Sequence, residues 1–269
     1  MTSIADPLHQ MPEIRMTPIP RLAKGWRWRV EAMRSYSQDL LLWFTRGQGR
    51  ITVAGVTRGY GPHNAIFVPA GTMHGFEVSA QVFGTAVFFP KSVALQLPPA
   101  PQHLRIRDAQ PQAEATGILE NLQRELESER PERLRAVNHH AGLLAVWLTR
   151  QILLEEGAAT RPDKAQDLCA RFTALVEHEF RSGMSVGEYA AALGVTPTHL
   201  SRVCNKACGR PASSLLNDRL IYEARRLLSE TREPVNEVAR QLGFTSAAYF
   251  TRAFQHHTGQ TPSAFRRAG

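Results

Sequence analysis

The chain has 269 residues, a mass of 30.0 kDa and a formal net charge of +8. This length allows two domains, each able to bury a core of its own. The basic balance favours a polyanionic partner but does not say which half binds it, because residues 163–269 carry 14 Lys and Arg against 10 Asp and Glu, half of the excess.

No targeting or membrane segment is expected from the sequence. Charged side chains and four prolines interrupt the first twenty residues, which excludes the apolar core of a signal peptide. The longest apolar run, residues 141–148, is far shorter than the roughly 20 residues of a membrane span. Three cysteines are too few for a secreted disulfide scaffold. We therefore expect a soluble, cytoplasmic protein without a membrane partner.

Residues 26–90 have the pattern of short strands broken by turns. Apolar side chains alternate at Trp26, Trp28 and Val30, at Ile51 and Val53, and at Ile66 and Val68. Glycine and proline clusters at 47–49, 59–62 and 69–71 separate these runs at the spacing of a small sandwich or barrel. The sequence predicts an antiparallel β-domain with an N-terminal arm over residues 1–110.

A change of period marks the next region, residues 111–156. One helical stripe carries Ala115, Leu119, Leu122 and Leu126, and a second, after Pro131, carries Val137, Ala141, Leu144, Leu148 and Ile152. The pattern predicts a helical hairpin. Its apolar stripes either cover the open side of the β-domain or pair two subunits of a homodimer, and the sequence leaves both open. Residues 157–163 have the composition of an interdomain linker before a domain at 164–269.

The C-terminal third contains one helical unit twice. Six residues of the first copy recur 49 positions later: Val186, Glu188, Ala190, Leu193, Gly194 and Thr196 correspond to Val235, Glu237, Ala239, Leu242, Gly243 and Thr245. Four more recur at an offset of 50: Leu200, Arg202, Cys204 and Gly209 correspond to Phe250, Arg252, Phe254 and Gly259. Two copies are too few for a solenoid, so a pair of units serving one elongated ligand is predicted.

Each copy has the signals of a helix-turn-helix. Ser185 and Glu188 form a capping box, and Gly194 follows the first helix where a positive φ would turn the chain. Thr196 and Pro197 then start a second helix as N-cap and first-turn proline. Residues 213–229 read as one amphipathic helix between the copies, a spacer that fixes their separation.

On these residues, 185–267 resemble the DNA-binding domain of AraC/XylS-type transcription regulators. The two units, the connecting helix and the ending at 259–266 (GQTPSAFR) have the order and spacing of that family. The resemblance implies that the second helix of each unit enters one of two successive major grooves of double-stranded DNA. It also implies a cytoplasmic regulator that works with RNA polymerase as its partner.

The resemblance assigns DNA-contacting positions. Base-facing residues would be Thr198, Ser201 and Arg202 in the first unit and Ala247, Ala248, Tyr249, Thr251 and Arg252 in the second. Thr196, His199, Lys206 and Ser246 would contact the DNA backbone, which gives affinity and register without sequence information.

Two positions depart from the family pattern. Pro211 lies one place earlier than the usual serine-proline, which puts the start of the connecting helix in doubt. Ala247 and Ala248 can touch a thymine methyl but cannot hydrogen-bond a base, so most base discrimination is assigned to the first unit. Cys204 and Cys208 lie four apart on a helix and could be half of a metal site, but Cys204 corresponds to Phe254, which favours a core cysteine.

Residues 40–89 resemble, more weakly, the cupin-like sensor domain found in many members of the family. Residues 69–74 (PAGTMH) look like the second cupin motif, but residues 39–53 lack the paired histidines of the first. One imidazole, His74, cannot make a catalytic metal site, so no metal, no other cofactor and no catalytic residue is expected. The predicted fold is α+β and multidomain: a cupin-like β-barrel with a helical hairpin, then an all-α double helix-turn-helix domain.

A barrel without metal could hold a small-molecule effector. Candidate pocket residues are Trp28, Trp43, Arg46, His74 and Phe76, although each could equally be ordinary core or surface. Several arginines in this half suggest an anionic effector such as a carboxylate. The predicted function is therefore an effector-responsive regulator, an activator or repressor, and not an enzyme.

Three other functions remain open at this point. A cupin enzyme fused to a DNA-binding module would require a metal site. An architectural DNA binder would have no effector. A DNA-alkylation repair protein would require a cysteine cluster ahead of the helices, and residues 1–168 contain no cysteine.

Overall fold

A computed structural model describes residues 13–24, 26–156 and 163–268. Of the predicted linker, residues 157–162 lie outside the described residues, as do residues 1–12 of the predicted N-terminal arm. Within the described part, every helix is too short or too polar to cross a membrane.

Over its described residues, 13–24 and 26–105, the β-domain contains eight strands and two short helices. The strands are β1 (Arg15–Pro18), β2 (Asp39–Arg46), β3 (Gly49–Val53), β4 (Val56–Tyr60), β5 (Asn64–Val68), β6 (His74–Phe76), β7 (Phe83–Phe89) and β8 (Gln102–Arg105), and the helices are α1 (Ile19–Leu22) and α2 (Trp28–Glu31). The strands form two antiparallel sheets, with order β1-β7-β2-β5-β8 in one and β4-β3-β6 in the other. The predicted barrel is therefore open: among the described strands, the two sheets face each other without a shared ladder.

Strand β2 lies at the centre of the larger sheet and is buried on both faces, which explains its unbroken apolar sequence LLLWF. Leu40, Leu42 and Phe44 face the smaller sheet, and Leu41 and Trp43 face the opposite way. The predicted strand around Trp26, Trp28 and Val30 is wrong. This segment forms α2, and Val30 packs into the core while Trp28 packs against the C-terminal domain.

The helical hairpin consists of α3 (Ala109–Leu126) and α4 (Arg133–Glu156), close to the predicted bounds. Its predicted stripes are buried against Leu41, Trp43 and the rest of that sheet face, and Trp147 of α4 packs edge-on against Trp43 at a centroid distance of 5.8 Å. Of the two alternatives for these stripes, covering the β-domain is the observed one. A different face of α4 stays exposed.

The C-terminal domain has seven helices among the described residues. They are α5 (Lys164–Glu179), α6 (Val186–Ala192), α7 (Pro197–Cys208), α8 (Ala212–Glu230), α9 (Val235–Gln241), α10 (Ala247–Thr258) and α11 (Pro262–Ala268). The connecting helix α8 extends one residue beyond each end of the predicted span, and it starts directly after Pro211. One apolar core joins these helices and takes in Met33 and Met73 from the β-domain, so the two domains pack together.

Candidate nucleic-acid interface

The first helix-turn-helix unit consists of α6 and α7 and has the local geometry predicted for it. The Ser185 hydroxyl accepts from the amide of Glu188, and the Glu188 carboxylate accepts from the amide of Ser185 at 2.7 Å. Gly194 has φ +71° and turns the chain, and Thr196 then caps α7 by accepting from the amide of His199. The first helix, α6, and the second, α7, thus each have a side-chain cap that hydrogen-bonds a free backbone amide at the N-terminus. These caps and the glycine turn between the helices fix the angle between α6 and α7.

The second unit, α9 and α10, repeats this geometry with different caps. Gly243 has φ +74°, and Ser246 caps α10 by accepting from the amide of Tyr249 at 3.1 Å. The N-cap of α9 is Pro234, which makes no side-chain capping bond. Phe250 and Phe254 replace the smaller Leu200 and Cys204 of the first unit in the core.

The predicted DNA-facing residues lie on the outer faces of α7 and α10. Thr198, Arg202, Ala248, Tyr249 and Arg252 are exposed, and Ser201, Ala247 and Thr251 are half-buried. Tyr249 leaves 52% of its surface to solvent, and its ring centroid lies 5.9 Å from that of Phe244. The predicted core cysteines Cys204 and Cys208 are buried on the inner face of α7, where they belong to the domain core.

Two cationic side chains on the outer face of α7, Arg202 and Lys206, each contact a neighbouring side chain. Arg202 Nη2 lies 3.1 Å from His199 Nδ1, which orients the guanidinium along the helix. Lys206 Nζ lies 2.5 Å from Asp163 Oδ2, and Asp163 is the N-cap of α5. Arg202 is thus presented without a carboxylate neighbour among the described residues, whereas Lys206 is held by an exposed ion pair.

A buried ion-pair network that sequence reasoning missed holds α8 to α5. Arg219 is 5% exposed and makes a bidentate contact with Glu177, at 2.7 Å and 3.0 Å, and a third contact with Glu223 at 3.1 Å. Glu223 also accepts from Arg226 at 2.7 Å and from Arg181 at 2.5 Å. Since a removed partner would leave a buried charge, the network fixes the position of α8 between the two units.

Electrostatics in this network favour the ionised carboxylate. Burial raises the pKa of Glu223, but the hydrogen bond from Arg226 and the charges of Arg219, Arg226 and Arg181 outweigh it and lower the pKa to about 2. An amphipathic helix with arginines usually predicts a solvated face. The missing signal was the partner Glu177, which lies 42 residues away from Arg219.

The β-domain contacts the C-terminal end of α7, which lies opposite to the predicted base-facing residues. The Thr57 hydroxyl donates to the Cys208 carbonyl oxygen at 3.4 Å, and the Ser35 hydroxyl donates to Glu177 at 2.6 Å. Trp28 of α2 packs on Tyr222 and Phe265, with ring centroids 5.6 Å and 6.1 Å apart. The Thr57 contact ties the C-terminal end of α7 to the β-domain, and the Ser35 and Trp28 contacts tie α5, α8 and α11 to it.

The five candidate effector residues do not share one cavity. Trp28 packs on the C-terminal domain, Trp43 packs under α4, and Arg46 is exposed above the ring of Phe83. Only His74 and Phe76 lie in one neighbourhood, both buried in β6. The five side chains come from helix α2 and from strands β2 and β6, and only the two on β6 lie together.

His74 is a buried neutral imidazole. Burial and the nearby Arg34 charge lower its pKa to about 3, and its Nδ1 contacts the Thr72 carbonyl oxygen at 2.9 Å. Among the described residues, no group of three or more His, Cys, Asp or Glu has the arrangement of a metal site.

A separate apolar cavity of about 260 Å³ lies where the β-domain meets α5. Its walls come from Ile51, Val53, Val56 and Ile66, with Arg58, His103, Gln166 and Asp167 as polar groups. Burial and the Arg58 charge lower the pKa of His103 to about 4, so its ring is neutral near pH 7. Sequence reasoning missed this cavity because its two sides come from distant segments.

Comparison with known proteins supports the assignment of the C-terminal domain. A family model described as a helix-turn-helix domain matches residues 189–268. The arabinose operon regulatory proteins of Salmonella typhimurium and Escherichia coli are 31% and 30% identical over 134 residues. Each alignment covers 47% of this chain and 47% and 45% of the relative, so the chain matches about half the length of these relatives.

Among solved structures, apo ToxT from Vibrio cholerae aligns over 94% of this chain and 96% of its own, at 13% identity and a TM-score of 0.42. The family-model match falls on the same region that contains the paired units, their capped second helices and the connecting helix α8. The C-terminal part of the chain is a helix-turn-helix domain of the AraC type.

Proposed function

We propose that the protein is a sequence-specific, DNA-binding transcription regulator that responds to a small-molecule effector. One observation carries this: the repeated arginines Arg202 and Arg252 both lie exposed on the second helix of their units. A side chain with five donors is the commonest reader of guanine in a major groove. The relatives named arabinose operon regulatory proteins support the regulatory role.

The two recognition helices enter successive major grooves on one face of the duplex. Helix α8 joins the units and has 19 residues, which gives it a length of roughly 28 Å at about 1.5 Å per residue. Successive major grooves on one face are about 34 Å apart, a distance that α8 and the flanking turns can span. The buried Arg219 network keeps α8 rigid, so the spacing is set before DNA binds.

The roles of the reading residues follow from their chemistry. Thr198, Ser201 and Arg202 discriminate bases in the first groove, and Tyr249, Thr251 and Arg252 act in the second, with Ala247 and Ala248 against thymine methyls. Thr196 and Ser246 place helix N-termini near phosphates, and His199 and Lys206 add backbone contacts. For Lys206 this requires exchange of Asp163 for a phosphate, at little cost for an exposed pair.

The effector binds in the cavity between the β-domain and α5. Aliphatic walls accommodate an apolar body, and Arg58, which has no carboxylate partner among the described residues, would pair with a carboxylate. Because Gln166 and Asp167 of α5 complete the wall, occupancy would bias how the DNA-binding domain packs on the β-domain.

The protein acts on transcription together with RNA polymerase and not as an enzyme. It does so as a homodimer. On α4, Leu143, Val146, Leu153 and Leu154 are 53%, 47%, 64% and 76% exposed and lie within one arc of about 100°. Exposed apolar stripes of this kind mark protein interfaces, and a second copy of α4 is self-complementary to it.

Genome-wide footprinting of the full chain, with and without a metabolite extract, tests the regulatory role. We expect a small set of protected sites whose occupancy changes with the extract. Equal binding to all sequences at low and high salt would contradict sequence-specific recognition. Arg58→Ala should abolish the response to extract, with Arg50→Ala as the control, because Arg50 is exposed and already paired with Glu77 at 2.8 Å.

A further inference from the structure

The cavity between the β-domain and α5 has two opposite charges at its rim that do not pair with each other. Arg58 of β4 and Asp167 of α5 both line this cavity of about 260 Å³, and both are exposed to solvent. Within the described part of the chain, neither side chain forms an ion pair with any residue. The rim therefore presents a cation and an anion to a ligand.

The interior of the cavity is aliphatic. Ile51 and Ile66 are 1% and 0% exposed and belong to the core between the two sheets, and the half-buried Val53 and Val56 complete this wall. The lining contains no aromatic ring apart from the imidazole of His103, among the residues that the structure describes. The volume lies just below the roughly 300–1,000 Å³ of most small-molecule pockets, so a small ligand with a branched aliphatic body fits best.

The two rim charges belong to different domains. Arg58 lies opposite Ile51 in the ladder between β3 and β4. Asp167 lies in the first turn of α5, three residues before Ala170, which lines the cavity from the same face of the helix. A ligand that contacts both charges therefore bridges the β-domain and the DNA-binding domain.

We propose that this cavity binds a free amino acid with a branched aliphatic side chain: leucine, isoleucine or valine. The carboxylate of the amino acid pairs with Arg58 and its ammonium group pairs with Asp167, while its side chain lies against Ile51 and Ile66. A ligand with a carboxylate alone would leave Asp167 as a like charge without a partner. This inference rests on the proposed function, which places the effector here, and adds the chemical class of the effector.

Helix α5 connects the cavity to the recognition helix α7. Ala170 of the cavity wall is adjacent to Cys169, whose sulfur lies 3.6 Å from that of Cys204 on α7 in a buried cluster of cysteines. The Cys169 thiol also donates to the Gly55 carbonyl oxygen at 3.2 Å, in the turn between β3 and β4. A ligand that joins the two rim charges therefore holds α5, and α7 with it, against the β-domain.

Isothermal titration of the full chain with leucine and its two single-charge analogues tests the ligand class. Isocaproate lacks the ammonium group of leucine, and isoamylamine lacks its carboxylate. We expect leucine to bind at one site per chain. Each analogue should bind at least about tenfold more weakly, because it leaves one rim charge without a partner. Isoleucine and valine, titrated in the same way, define the preferred side chain.

Two variants assign the contacts to individual residues. Asp167→Asn should remove the preference for leucine over isocaproate, and Arg58→Gln should remove the preference for leucine over isoamylamine. Asp108→Asn is the matched control, because Asp108 is an exposed carboxylate directly before α3 and outside the cavity. It should bind leucine as the unmodified chain does. The comparison of leucine with its analogues uses the unmodified chain, so it does not depend on the folding of a variant.

Three results would overturn the inference: no binding of any of the three amino acids, isocaproate binding as tightly as leucine, or leucine binding that neither variant weakens. If the metabolite extract still changes genomic occupancy, the proposed function survives each of them. The opposite result is leucine binding with the expected dependence on Arg58 and Asp167 but no change in genomic occupancy when leucine is added. It would support the ligand class and contradict the effector response, so the two failures are distinguishable.

Discussion

Gly183 and Gly243 meet backbone to backbone and join the two helix-turn-helix units. A Cβ at Gly243 would lie 2.5 Å from the Gly183 amide nitrogen and 2.6 Å from the Arg181 carbonyl oxygen. Both glycines have a positive φ, of +80° at Gly183 and +74° at Gly243. The turn inside the second unit therefore packs on the turn that precedes the first, a close approach that only glycine permits.

This contact predicts unequal effects of one substitution at equivalent positions. Gly194→Ala places a Cβ in open space at φ +71° and should cost only the left-handed strain, about 1 to 2 kcal/mol. Gly243→Ala adds a backbone clash and should cost clearly more. Denaturant unfolding of both variants measures this. Equal losses would show that the Gly183 contact does not constrain the domain.

Arg202 and Lys206 should affect DNA binding in different ways. Arg202→Ala is expected to weaken the specific site by about 1 to 3 kcal/mol and to relax preference at one base position. Lys206→Ala should weaken all sequences alike and reduce the salt slope by about 1. Base-resolved binding measures both, with Arg107→Ala on the β-domain surface as the control. Uniform loss across sequences for Arg202→Ala would remove its reading role.

The local features of the DNA-binding domain could be predicted because their signals lie within a few residues. The Ser185 capping box, the Gly194 turn and the Thr196 cap each depend on neighbours in the chain. The apolar stripes of α3 and α4 were equally visible. Their partner was not, since an apolar stripe reports burial and not what covers it.

Features built from distant segments could not be predicted. Ser35 and Glu177 are 142 residues apart, and the sequence has no signal that the β-domain packs on α5. Cys204 was correctly predicted as core, but Cys169 was needed to reveal a cluster. The alternation around Trp28 was misleading because two different domains cover its apolar side chains. Trp28 packs against the C-terminal domain and Val30 packs into the β-domain core, and together they imitate the two-residue period of a strand.

The free energy of unfolding should fall in acid because the Glu223 carboxylate becomes protonated. Its pKa of about 2 in the folded protein lies below the ordinary value of 4.5, so the ionised form stabilises the fold above about pH 4.5, and this is lost as the pH falls toward 2. The contribution is on the order of 3 kcal/mol. Glu223→Gln should therefore destabilise the protein at pH 7 and flatten the decline between pH 5 and 2. Glu237→Gln, at an exposed pair, is the control; an unchanged acid limb in Glu223→Gln would contradict the network.

The exposed face of α4 predicts the oligomeric state. Leu143→Glu with Leu153→Glu places two charges on the apolar arc and should convert the proposed dimer to a monomer without loss of fold, since both side chains are solvent-exposed in one chain. Leu134 is 50% exposed but lies nine residues from Leu143, on the opposite side of the helix, so Leu134→Glu should leave the dimer intact. Sedimentation equilibrium measures the association constant of each variant. If the double variant and Leu134→Glu associate equally well, another surface joins the subunits; if all three proteins, including the unmodified chain, are monomers, each must read both grooves alone through α7 and α10.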